Sequence, residues 1–320
     1  MRNDQRKKHR KCYILLLIIF AALFCLSAYK VTTQLLTERK EKQAFDALIE
    51  QVSINRQANR SQTTPESAPA DESPAPASPD NGQASGESHE FVTPEPEHTP
   101  APENVEITQE TIEPQASITP EPTPTEVPPM LAAYEPLYKK NHDLWGWIMI
   151  EGTEINLPVM YTPRDSEYYL HRAFDRTYSF SGVPFMDGTC YWGCGNYLIY
   201  GHHMKNGTMF APIVNYARED YWQEHPLIYF DTLYEIGTYE VIAAFYSTAF
   251  TSSETEGFRY YRYTDLTNPD VFAEYMEQVR SVAVYDTGLD ASYGDQLLTL
   301  STCEYSAKDN RFVVVARKIN

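Results

Sequence analysis

The hydrophobic pattern changes character four times along the chain. From Tyr13 to Tyr29 the residues are uncharged and almost wholly apolar, and they follow a basic cluster at Arg2 to Lys11. That length suits a bilayer-spanning helix, and the flanking positive charge predicts a cytoplasmic N-terminus with everything after Lys30 outside. Small residues near Ala28 would also suit a cleaved signal peptide, but no A-x-A site follows, and the chain continues as a charged, helix-like segment. We therefore expect a cytoplasmic basic tail over residues 1–12 and a retained anchor over 13–30. Over residues 31–57, Leu35, Leu36, Phe45, Leu48, Ile49 and Val52 recur at helical spacing among charges. This predicts a short juxtamembrane helix or coiled-coil stub, with no chemistry attached to it.

Over residues 58–130 the periodicity disappears. Pro, Glu, Thr, Ser and Ala dominate, and no Lys or Arg occurs between Ser61 and Tyr138. Such a stretch cannot bury enough apolar surface to offset its ordering entropy, so it is expected to be a disordered acidic linker with polyproline character. Fully extended at ~3.1 Å per residue, it would reach on the order of 200 Å. The expectation is a tether, on which a folded domain could work well away from the membrane.

The remaining residues, 131–320, carry a globular pattern. LAAYEPLYKKNHDLWGWIMI predicts a helix and then a strand, broken at Asn141-His142-Asp143. Short β-like runs follow at Leu157–Tyr161, Val183–Met186, Asn196–Tyr200, Leu227–Asp231 and Thr238–Tyr246. Helical pieces are predicted at Asp165–Arg172, Met209–Asp220 and Asn268–Val282. Gln296–Thr302 and Arg311–Ala316, joined by a short polar turn, predict a closing β-hairpin. Many short strands separated by turn residues argue for a mainly β domain, a barrel or a sandwich, decorated with helices.

Composition narrows the function classes. A net charge of −18 with its one dense basic cluster at the extreme N-terminus excludes a nucleic-acid partner. No glycine-rich loop follows a strand in the pattern phosphate binding needs, which disfavours a nucleotide enzyme. Of the five cysteines, Cys12 and Cys25 lie in or beside the apolar span, leaving Cys190, Cys194 and Cys303 beyond it. Cys190 and Cys194, in DGTCYWGCGN, fit a local disulfide or two inert thiols; the nearby His202 and His203 keep a metal reading open behind these.

That leaves Cys303 as the odd thiol, closing the first hairpin strand as Arg311 opens the second. A guanidinium beside a thiol favours the thiolate and can also hold a developing oxyanion. Tyr200-Gly201-His202-His203-Met204, at the end of another predicted strand, supplies a proton carrier. His203, His171 and His225 compete with His202 for that role, and position directly after Gly201 favours His202. A free cysteine is otherwise most often a buried structural thiol, and Arg311 would then be a surface cation paired with Asp309 or Glu304.

YGHHM, TLSTC and the following RFVVVAR together resemble the class B sortases, cysteine transpeptidases of Gram-positive bacteria that attach secreted proteins to peptidoglycan. The resemblance covers about residues 131–320, including DLWGWI, YYLHRAF and SGVPFMD. Two features depart from the family's usual pattern: His203 stands where Asn is common, and the acidic linker is unusually long. The resemblance implies a closed β-barrel with Cys303 as nucleophile, His202 as acid/base and Arg311 as oxyanion or carbonyl clamp. Ser301 and Glu304 would line the substrate groove, and no cofactor or metal would be needed. The implied partners are a secreted protein whose C-terminal sorting motif is cut after Thr and a peptidoglycan precursor or cross-bridge amine. A pilus-assembling sortase and a catalytically silent envelope-binding module are the competing expectations.

Overall fold

The computed structural model describes residues 2–63, 128–248, 250, 257–303 and 310–320. The expected linker and the turn carrying Glu304 and Asp309 lie outside these residues, apart from the linker's two ends. The first helix, α1, is continuous from Arg2 to Thr63. It therefore runs unbroken through the apolar stretch and the juxtamembrane segment, and past the boundary expected at residue 57. Its first half presents bare apolar side chains such as Phe20 (68% exposed) and Leu23 (60%), and among the described residues it is one helix long and apolar enough to cross a membrane.

The later part of α1 is packed. Val52 is buried, and Phe45, Leu48 and Ile49 lie against the same apolar cluster as Tyr134, Leu137 and Trp147. Its polar side chains also reach the folded domain. Arg56 pairs with Asp231 at 2.7 Å, and Asn55 donates to the Ala133 carbonyl at 3.0 Å. Tyr134 donates to the same Asp231 carboxylate at 2.5 Å, its phenol pushed up by burial and by that carboxylate. The segment expected as a short juxtamembrane helix or coiled-coil stub thus packs against the domain.

Beyond α2 (Glu135–Lys140) the described residues form eight strands. They are β1 (Leu144–Met149), β2 (Asn156–Met160), β3 (Phe185–Met186), β4 (Asn196–Tyr200), β5 (Leu227–Thr232), β6 (Thr238–Thr248), β7 (Leu297–Cys303) and β8 (Asn310–Lys318). They close into a barrel in the order β1-β2-β3-β4-β7-β8-β6-β5. This resolves the barrel-or-sandwich alternative. The run FVVVA makes β8 buried on both faces, and it lies between β6 and β7, antiparallel to both. Pro158 is tolerated in β2 because that strand meets β3 at a single register pair, Met160 with Phe185.

Two further helices complete the domain, α3 (Glu219–Glu224) and α4 (Pro269–Val282). The side chain of Asn268 caps α4 by accepting from the backbone of Asp270 and Val271, and Pro269 occupies the first turn. Phe272, Tyr275, Met276 and Val279 form its buried stripe at helical spacing. Of the other predicted helical pieces, Tyr168–His171 and Ala211–Ala217 are tighter 3-10 turns.

Candidate active site

Two strand pairings set the site. β7 and β8 are antiparallel with Cys303 directly opposite Arg311, so both side chains project from the same face of the barrel wall. β4 runs parallel to β7 with Tyr200 opposite Ser301. Parallel neighbours leave the sheet at the same edge, so the chain after Tyr200 carries His202 out beside Cys303. The connection between them is tight: Gly201 donates to the Ser301 carbonyl at 3.1 Å and accepts from Thr302 Oγ1 at 2.7 Å. A Cβ at position 201 would lie 2.5 Å from the Phe210 ring, so the residue before His202 has to be glycine.

His202, Cys303 and Arg311 line one cleft of about 400 Å³, together with Leu170, Tyr200 and Tyr260. His202 Nε2 lies 2.9 Å from the Leu170 carbonyl. A carbonyl only accepts, so Nε2 carries the proton and Nδ1 of the neutral ring is left to take one. The His171 ring stacks on it with centroids 5.3 Å apart and planes at 27°. Burial lowers the His202 pKa and the neighbouring His171 lowers it further, against the opposing pull of the Leu170 carbonyl. Arg311 donates from one guanidinium nitrogen to the Asn310 carbonyl at 3.1 Å, which orients its fork.

The remaining candidates separate. His203 Nδ1 donates to the Cys303 carbonyl at 3.0 Å, so the second histidine of the pair braces the backbone of β7. His225 is bonded to the Glu151 carbonyl at 2.9 Å. Ser301 lines the cleft, but it is buried and its Oγ is 2.7 Å from the Tyr260 hydroxyl, whose pKa burial pushes up to about 12. Glu304 lies outside the described residues. Cys190 and Cys194 are buried free thiols sharing the Asn196 carbonyl, and the hydrogen bond that the Cys190 thiol donates to Cys194, together with burial, raises the Cys190 pKa. Among the described residues no group of three or more His, Cys, Asp or Glu side chains is placed to hold a metal ion.

Sequence reasoning missed what surrounds His202. The proton-orienting acceptor is a backbone oxygen, which leaves no mark in residue type. His171 was visible only as a rival base, and its stacking depends on a turn brought in from thirty-odd residues away.

A family model described as a sortase domain matches residues 148–319. The chain belongs to the sortase family. Over 190 residues this sortase is 30% identical to sortase B of Staphylococcus aureus, covering 58% of the chain and 74% of that relative. Over 171 residues it is 34% identical to sortase B of Listeria monocytogenes, covering 52% and 65%. Among solved structures, a Staphylococcus aureus sortase B–substrate complex matches with a TM-score of 0.53 at 30% identity, covering 60% of this chain and 86% of that one. Clostridium perfringens sortase B matches with a TM-score of 0.51 at 30% identity, covering 58% and 98%. The sortase is accordingly a cysteine transpeptidase of the class B type on a closed eight-stranded barrel.

Proposed function

We propose that this sortase cuts a C-terminal sorting motif after Thr and passes the acyl group through a Cys303 thioester to a peptidoglycan amine. The observation that carries the reading is the register pair Cys303–Arg311 opening into the cleft that also holds His202. Cys303 Sγ attacks the Thr carbonyl carbon while the thiol proton passes to His202. The carbonyl oxygen becomes an oxyanion beside Arg311, where a fixed planar cation stabilises charge that develops only in the transition state. Collapse breaks the C–N bond, and the His202 imidazolium gives its proton to the departing amine. The acceptor amine then attacks the thioester carbon while His202 takes its proton, and the C–S bond breaks as that proton returns to the Cys303 sulfur. The acyl bond is exchanged rather than made anew, so no nucleotide is required.

The exposed apolar half of α1 supports a single-pass anchor, and the basic cluster before it supports a cytoplasmic N-terminus with the barrel outside the cell. The test is mass analysis of the full-length protein with a Thr-containing sorting peptide and a free amine. We expect an acyl adduct on Cys303, its discharge by the amine, and neither event in Cys303→Ala. Processing by Cys303→Ala would end the assignment. A product joined to a lysine side chain of another protein subunit would replace wall anchoring with pilus assembly.

A further inference from the structure

Glu41 lies on α1, in the segment to which the sequence attached no chemistry. Its carboxylate is half-buried against the loop at residues 179–181 and accepts three hydrogen bonds from it: Ser179 Oγ at 2.8 Å, the Phe180 backbone at 3.0 Å and Ser181 Oγ at 2.6 Å. A carboxylate that accepts from three donors of one loop is a strong, directional anchor. The loop has no slack to pass on. Ser179 donates through its backbone to the His171 carbonyl at 3.1 Å, and Val183 donates to the Tyr169 carbonyl at 3.1 Å. Between them Gly182, at φ +60°, lies so close that a Cβ would fall 2.3 Å from the Leu170 oxygen. That same oxygen accepts the Nε2–H of His202 at 2.9 Å. On its other side the turn is held by Asn141, which donates to the Tyr169 hydroxyl at 2.7 Å.

We propose that Glu41 is a positioning residue for catalysis: by gripping the 179–181 loop it fixes the turn whose Leu170 carbonyl holds His202. The helix that leads out of the apolar stretch is thereby part of the machinery that orients the acid/base. Glu41 touches neither substrate nor reacting atoms, and its effect passes wholly through the loop. The inference rests on the assignment of His202 as acid/base, so it is read in two independent ways.

The experiment uses the full-length protein in detergent micelles with 15N-labelled histidine. In the wild type the His202 ring is expected to give the nitrogen shifts of a single Nε2–H tautomer, and Glu41→Ala shifts averaged between the two tautomers. With a sorting peptide and an amine, Glu41→Ala is expected to lower kcat about tenfold with KM changed less than about twofold, since a misplaced general acid/base costs the chemical step rather than binding. Glu41→Gln keeps the volume and the acceptor for Ser179 and Phe180 but loses the charge. It is expected to fall between wild type and Glu41→Ala in both readings, and it carries the test if Glu41→Ala does not fold. Wild-type tautomer signals and kcat in whichever variant folds overturn the proposal, as does a fall in kcat with the His202 signals unmoved. The ring signals are recorded without substrate, so a wild-type protein that fails to turn over the peptide counts against the activity assignment alone.

Discussion

His202 sits half-buried with its Nε2–H committed to a carbonyl, and burial together with His171 holds its pKa below the ordinary histidine range. The ring is therefore neutral near pH 7, the state in which the proposed mechanism needs it to take the Cys303 proton. In the free enzyme kcat/KM should fall on the acid side only as the pH drops through that lowered pKa, so the acid limb should lie below the usual histidine value of about 6.5. His171→Gln removes the like charge and should move the limb upward, as a pH–rate profile at constant ionic strength will show. A limb above the ordinary range would assign the proton transfer to another group. Arg311→Lys keeps the charge and loses the planar fork, and kcat/KM should fall about 10²-fold with folding unaffected, checked by peptide turnover beside a thermal melt.

At the level of elements, the parts that read well from sequence are those whose logic is local. The β7–β8 hairpin follows from two β-prone runs around a polar turn, and α4 from an Asn-Pro start with an apolar stripe at helical spacing; both lie within two residues of their predicted bounds. The docking of α1 was not legible, because its partners are remote: Glu41 and Ser179 are 138 positions apart, and Arg56 and Asp231 are 175. Charges at helical spacing look the same whether they face water or a partner. The α1 contact nonetheless carries stability. Asp231 is buried, and Arg56→Ala would leave its carboxylate with only neutral donors, Tyr134 and the Gly237 backbone, among the described contacts. We expect a loss of about 1–3 kcal/mol in chemical denaturation of the full chain. Arg56→Lys should recover part of it.

Across the whole molecule, α1 itself joins its apolar half to the barrel through its own packed contacts. Asn55 reaches Ala133 directly, so the chain departs from α1 and returns to the domain on the same flank. The eight helical residues from Arg56 to Thr63 add about 12 Å at 1.5 Å per residue, a gap that a short connector closes. Replacing residues 64–127 with about twenty Gly and Ser residues should leave turnover of a soluble peptide within about twofold, measured beside the wild type in micelles. A large loss would return the segment to the role of tether.

On the proposed single-pass anchoring, α1 would be a rod with one end in lipid and the other bolted to the barrel, and it would act as a gauge. The twelve residue-to-residue steps from Tyr29 to Glu41 rise about 18 Å. A docked α1 would therefore hold the catalytic mouth at one altitude over the bilayer, and cargo would be chosen partly by how high its cut site stands when it passes.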